Sequence, residues 1–258
     1  MGRAKEIVVK VIPAKIANEF VKKHHYSGKV VPNSTLHFGA FLDGKLHGVL
    51  SYGPSINKKG TINLVKDTGW NEFIELNRMA FDDYLPKYSE SRCIAISIRL
   101  IKKNAPQIKW IISFADGTQC GDGTIYRASG FKLVGIAENT ALRINPETGE
   151  AMHVIQAHHL KMSNKFRKWQ PFDGYQLKYV YLIDKSCILT KSEISFDKID
   201  EIGAGMYKGQ KITLQERRAN LSEEVDSNAT SWLEYQVCNH YTTLAKQIYN
   251  IDGQNWTT

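Results

Sequence analysis

The stretch that most constrains this chain runs from Ile108 to Phe131, IKWIISFADGTQCGDGTIYRASGF. Its first seven residues are apolar and rich in β-branched side chains, the composition of a strand buried on both faces. Asp116 follows at the strand's end, where a carboxylate faces a crevice. Gly117, Gly121 and Gly123 then allow a tight turn or a close approach to a ligand. Thr124 to Ser129 predicts a short helix that stops at Gly130. A strand, a glycine-rich turn and a helix start in one run demand an α/β layering. They also gather Asp116, Thr118, Gln119, Thr124 and Tyr126 at one mouth, more polar groups than a purely structural loop needs.

The remaining segments fit around that unit. Ile7 to Val11 predicts a first strand. Pro13 then opens a helix with Ile16, Phe20 and Val21 on one face, ending near Gly28. Its last turn reads KKHHYSG, whose cations either complement the negative helix end or bring His25 and Tyr26 into the crevice that Asp116 faces. His37–Leu42 and Leu46–Tyr52 flank Asp43-Gly44, a hairpin signal. Phe73 to Phe81 predicts a strand that carries Arg78 among apolar neighbours, so this guanidinium must be paired, Glu75 being one partner, or face a ligand. After Pro86, Ser89 and Ser91 are candidate caps of a helix with Ile94, Ile98 and Ile101 as its stripe. Phe131–Ile136, Ala151–Ala157 and Leu177–Asp184 predict further strands.

Charge adds a partner class. Lys and Arg number 34 against 26 acidic residues, a net +8 that favours an anionic partner. Lys161, Lys165, Arg167, Lys168 and Trp169 form a basic stripe with an interleaved aromatic, suited to a phosphate backbone and a stacked base. The four cysteines have no C-x-x-C spacing and predict neither a zinc knuckle nor a disulfide framework. No apolar run reaches the roughly 20 residues of a membrane span, and a cytoplasmic location is expected. Two domains are expected, 1–185 catalytic and 186–258 a polar C-terminal extension, with Trp232, Tyr235, Leu244 and Ile248 as its apolar residues.

The order of elements, closing in YRASGF at Tyr126–Phe131, resembles a GNAT-type acyltransferase domain. The expected fold is therefore α+β, a mixed, mainly antiparallel central sheet flanked by helices. HHYSG at 24–28, ELNRM at 75–79 and the Ser113–Phe131 stretch together resemble the bacteriophage Mom family of DNA adenine-modifying proteins. That resemblance covers about residues 5–185. It implies an enzyme adding a carbamoylmethyl (methylcarbamoyl) group to the exocyclic amine of adenine, flipped out of double-stranded DNA, which protects the DNA from restriction. It also implies catalytic roles for His25, Tyr26, Arg78, Asp116 and Tyr126.

Where the acyltransferase pattern has Q/R-x-x-G-x-G/A, this chain reads LPKYSES. The resemblance thus leaves Lys87, Ser89, Ser91 and Arg92 to hold an acyl-CoA-like or other small activated donor. It further implies an iron ion, for which His25 and Asp116 are ligands of suitable type. Two other functions share these features: an N-acetyltransferase acting on a protein or small amine, and a non-catalytic DNA-binding module.

Overall fold

A computed structural model of the protein describes residues 3–25, 27–117, 122–138, 141–148, 151–171, 174–204, 206–207 and 210–211. Tyr26, Thr118, Gln119 and Gly121 lie outside the described residues. So does the tail from 212 to 258, with Trp232, Tyr235, Leu244 and Ile248. The elements in chain order are β1 (Val8–Val11), α1 (Ala14–His24), β2 (Leu36–Leu42), β3 (Lys45–Gly53), α2 (Lys58–Thr61), β4 (Phe73–Phe81), α3 (Ser89–Asn104), β5 (Trp110–Asp116) and α4 (Thr124–Ala128). There follow β6 (Lys132–Glu138), β7 (Leu142–Ile144), β8 (Ala151–His153), α5 (Val154–His159), α6 (Ser163–Phe166), β9 (Gln170–Pro171) and β10 (Tyr175–Leu182). A seven-stranded sheet has the order β1-β2-β3-β4-β5-β10-β6. Its first four strands pair antiparallel, and β4 pairs parallel with β5, giving the expected mixed, mainly antiparallel sheet flanked by helices.

The chain divides into two compact units: one of Met1–Ala115, Gly123–Gly135 and Leu177–Lys198, the other of Asp116–Asp122, Ile136–Gln176 and Ile199–Thr258. In the first, the Asp43-Gly44 signal acts as expected. Both residues take positive φ, 51° and 75°, the backbone of the two-residue hairpin turn that matches strand twist. Helix α1 buries Ala17, Phe20 and Val21 against Ile12, Val49 and Ala80. Across the parallel pair, Phe73 stands opposite Trp110, and their rings stack at 4.3 Å. That contact contributes about 0.5–1.5 kcal/mol beyond burial.

Helix α1 stops at His24, earlier than the apolar spacing predicts, because His25 takes an extended backbone (φ −81°, ψ 134°). Its ring instead hydrogen-bonds within the next turn, a local alternative to helix propagation. On β4 one extra residue interrupts the ladder with β3. Ser51 pairs with Arg78 but Tyr52 pairs with Leu76, so Asn77 is a bulge.

In the second unit β7 pairs with β8 and β9. The expected strand Ala151–Ala157 ends at His153 and continues as α5. The helical path buries Ala157 fully against Phe166 and Trp169. Gly117, following Asp116, is locked in place: its N–H donates to Tyr175 O at 2.6 Å, and a Cβ there would come within 2.8 Å of Tyr175 O and 2.9 Å of Ala204 O. Neither carbonyl is a flexible side-chain end. Gly117→Ala should therefore cost about 1–3 kcal/mol, the range for overpacking, read as a fall of several degrees in thermal denaturation. An unchanged midpoint would contradict this packing.

Candidate active site

The first unit builds a polar cluster where the antiparallel strands pass beneath the end of α1. His37, Ser51 and Arg78 occupy paired positions on β2, β3 and β4, so their side chains form one row. Val49 and Ala80 lie on the same face and pack under α1, which places the row below the chain leaving that helix. His37 Nδ1 lies 2.8 Å from Ser51 Oγ. Arg78 reaches up: its Nε donates to Lys29 O at 2.9 Å and its Nη1 to Asn77 O at 2.8 Å. One guanidinium thus clasps both the turn after α1 and the bulge on β4. Glu75 does not supply the close partner. Its buried carboxyl is raised in pKa by desolvation and hydrogen-bonds with Ser55 and Asn77.

His25 sits in that clasped turn. Burial, and secondly the Arg78 charge, push its ring from the ordinary 6.5 down to about 3, so it is neutral at physiological pH. The same two causes lower Lys29. The structure therefore brings His25 and Arg78 together, as the sequence motifs imply. It adds Ser27, Lys29, Asn77, His37 and Ser51, which the motif reading missed. The available signals were local, the serine two residues after His25 and the cross-strand pairing of His37, Ser51 and Arg78.

Tyr126 belongs to a different cluster of the same unit. Its ring stacks on Tyr179 at 5.3 Å and meets Phe131 edge-on at 5.5 Å. Tyr52, whose buried hydroxyl lies 2.7 Å from Ser97 Oγ, is coupled to Tyr126 electrostatically. Gly123, at φ 70°, is needed here because a Cβ would fall within 2.6 Å of the Tyr179 ring. The glycine run so lets α4 lie flat on an aromatic floor. Asp116 ends β5 and belongs to the second unit, held by the Gly117 contacts described above.

At the start of α3 the two candidate caps behave otherwise than expected. Tyr88 takes the N-cap position at φ 69° without a side-chain cap. The Ser89 hydroxyl donates to Pro86 O, and that of Ser91 to Tyr88 O at 3.2 Å. Both hydroxyls thus serve as donors to the preceding loop and not as acceptors for helix N–H groups. Arg92 donates to Lys5 O at 3.1 Å, and Lys87 is exposed.

Of the basic stripe, Lys161, Lys165, Arg167 and Lys168 are exposed, and Lys161 borders an open cavity of about 440 Å³ with His158, Ser163 and Asn164. Trp169 corrects the expectation of a base-stacking aromatic. It is only 5% exposed, packed with Phe166 and Ala157 as the core of its segment. Arg143 pins that segment through Trp169 O at 2.8 Å. Among the described residues no three His, Cys, Asp or Glu side chains gather as a metal site. His25 also has the wrong donor chemistry for one, because its Nδ1 accepts the Ser27 N–H at 3.1 Å.

The sequence profile of the Mom protein family matches residues 6–198, a span that holds the whole His25–Arg78 cluster. This chain belongs to the Mom protein family. The "Methylcarbamoylase mom" of Escherichia phage Mu is 36% identical over 159 residues, which are 61% of this chain and 64% of the phage protein. The match thus spans just under two thirds of that family member. Among solved structures, a Bacillus subtilis acetyltransferase in complex with CoA superposes with a TM-score of 0.42 at 10% identity, over 68% of this chain and 98% of its own. An N-acetyltransferase from Staphylococcus aureus Mu50 gives 0.43 at 11%, over 69% and 99%. Among the described residues no helix is long and apolar enough to cross a membrane.

The His25 environment sets a pH dependence. A histidine whose folded pKa is depressed contributes stability that is fully present above the unfolded value near 6.5 and is lost as pH falls toward about 3. Each unit of that gap corresponds to about 1.4 kcal/mol. His25→Asn, which cannot titrate, should lose stability less steeply than the parent between pH 6.5 and 4.5 in denaturant titrations. Parallel slopes would contradict the buried, neutral ring.

Proposed function

We propose that this chain is a DNA-modifying transferase that places a carbamoylmethyl (methylcarbamoyl) group on the exocyclic amine of adenine in phage DNA, inside the bacterial host, and so shields that DNA from restriction. The observation that carries this reading is the family match across residues 6–198, which encloses the buried His25–Arg78 cluster, joined to the 36% identity with a protein named a methylcarbamoylase.

The chemistry asks three things of the protein. The adenine amine is a weak nucleophile, its lone pair delocalised into the ring, so it needs an activated donor and a group to take its proton. As nitrogen bonds to the donor's methylene carbon, the carbon–leaving group bond breaks and one amine proton departs. Asp116, at a strand end, is the proton acceptor in this reading. Arg78 spends two of its donors on Lys29 O and Asn77 O. Its remaining N–H groups, with Lys29, suit an anionic or carbonyl oxygen of the donor. If the donor carries phosphate, Lys87 and the uncapped start of α3 are placed to meet it.

The base must also leave the duplex, costing a few kcal/mol. Tyr26 and Tyr126 are the aromatic candidates to receive it. Lys161, Lys165, Arg167 and Lys168 would hold the backbone meanwhile, without help from Trp169.

Two measurements test this. Nucleosides digested from plasmid DNA after expression of the protein should contain a heavier adenosine carrying the carbamoylmethyl group, by mass spectrometry. An acetylated adenosine, or binding with no new nucleoside, would overturn the reading. Asp116→Asn should lower modification roughly a hundredfold or more with DNA affinity intact; near-normal modification by a folded variant would remove it from the mechanism. Neutralising the four stripe cations should flatten the salt dependence of log affinity by about 0.9 per lost phosphate contact. An unchanged slope would remove the stripe from the DNA interface.

A further inference from the structure

We propose that Ser27 is a positioning residue that fixes His25 in its Nε2–H form, so that this ring serves the site as a hydrogen-bond donor to an oxygen acceptor and not as a metal ligand or a proton acceptor. The identity of that acceptor, a carbonyl oxygen of the transferred carbamoyl group, rests on the transferase reading; the form of the ring does not.

The argument begins with a backbone amide. Ser27 N–H donates to His25 Nδ1 at 3.1 Å. An amide N–H has no lone pair to offer in return, so Nδ1 carries no proton, and the single proton of the neutral ring is on Nε2. Ser27 Oγ lies 2.8 Å from the same nitrogen. With Nδ1 bare, the hydroxyl must be the donor in that pair. Its oxygen in turn accepts the Lys29 N–H at 3.3 Å. The donors therefore run in one direction, from Lys29 N–H to Ser27 Oγ–H to His25 Nδ1, each polarising the next.

The backbone enforces this arrangement. Gly28 N–H donates to His25 O at 2.8 Å, and Gly28 takes φ 59°, which closes a tight turn over residues 25–28. That turn aims the Ser27 amide at the ring. Ser27 is 4% exposed, so water does not compete for Nδ1. Arg78 holds the far end of the turn at Lys29 O.

Every alternative role for the ring has to break something here. A metal on Nε2 would displace the proton to Nδ1, setting N–H against N–H and forfeiting both Ser27 bonds. A metal on Nδ1 would displace Ser27 itself. Proton uptake at Nδ1 meets the same clash, with the positive Arg78 close by, in keeping with a ring that stays neutral far into acid. Donation from Nε2 costs none of these bonds. Two cationic groups, Arg78 and Lys29, already favour electron-rich oxygen in this neighbourhood.

The test reads the ring directly. Long-range proton–nitrogen correlation spectra of the full chain, with His25 assigned by comparison with His25→Gln, should show Nδ1 bare and Nε2 protonated. The reverse pattern overturns the proposal. So does specific, saturable loss of the His25 signals on titration with ferrous iron alone. In modification assays His25→Gln, whose amide places an N–H near the position of Nε2, should stay within about tenfold of the parent. His25→Ala should fall by roughly a hundredfold or more, the cost of a lost oxyanion donor. Equal losses in both would overturn the donor role.

Ser27→Ala should lower modification roughly tenfold and shift the His25 nitrogen signals, and Ser27→Thr should restore both. Unmoved signals in Ser27→Ala would show that serine does not position the ring. A protein that modifies no adenine would sink the transferase reading alone, since the tautomer is read without any substrate.

Discussion

The arrangement of the candidate site depends on one buried cation and the two carbonyls it satisfies. Arg78 projects from β4 beside a bulge, and a bulge leaves peptide groups without ladder partners. Its Nη1 takes up Asn77 O, and its Nε takes up Lys29 O from a turn 49 residues earlier in the chain. An unsatisfied buried carbonyl costs about 1–3 kcal/mol, so the same side chain stabilises both irregular segments at once. Lysine could not replace it at equal worth, because a point charge on a flexible stem lacks the planar fork that spans two acceptors. Gly53, at the end of β3, completes the fit: a Cβ there would lie 2.3 Å from Asn33 O and 2.8 Å from Asn77 Oδ1. The strand end must be bare for the bulge to exist.

The regular parts of this architecture were legible in the sequence because they obey periodic rules. Asp43-Gly44 marked its hairpin, and the isoleucine stripe marked α3. The β-branched run before Asp116 marked the strand at the parallel join. Three motifs located His25, Arg78, Asp116 and Tyr126. What periodicity could not disclose is which atoms those residues commit to one another. The end of α1 came earlier than its apolar spacing implies because the His25 ring finds donors in its own turn, an interaction with no 3.6-residue signature. Trp169 read as an exposed aromatic because its neighbours are charged, yet a short segment with one apolar side must bury its largest ring to hold together at all. Ser89 and Ser91 suited helix caps by type, but Tyr88 occupies the left-handed position that decides the entry, and the hydroxyls turned back to the loop.

Aromatic packing around α4 solves a related problem by different means. A five-residue helix has little stability of its own, since nucleation fixes several residues for few hydrogen bonds. Here Tyr126 stacks on Tyr179, Phe131 meets Tyr126 and Tyr181, and Arg127 lies over Phe196 at 4.8 Å. Gly130, at φ 81°, turns the chain so that Phe131 N–H closes on Tyr126 O at 3.0 Å. The helix is thus held by its floor and its stop. Tyr126 is consequently a wall residue whose ring position is fixed before any ligand arrives.

The surplus of positive charge divides into two populations that act through different physics. Lys161, Lys165, Arg167 and Lys168 are exposed, so their effect on a partner passes through counter-ions and fades with salt over a Debye length of about 8–10 Å. Arg78 and Lys29 are shielded enough that burial itself shifts the histidine and the lysine beside them. Their influence is directional, set by hydrogen bonds, and barely screened. A protein that must grip a long polyanion of any sequence and also hold one small group in a fixed pose needs both populations, and needs them kept apart. Placing the site cations under α1, tied to carbonyls, keeps them from becoming one more loose contact to phosphate.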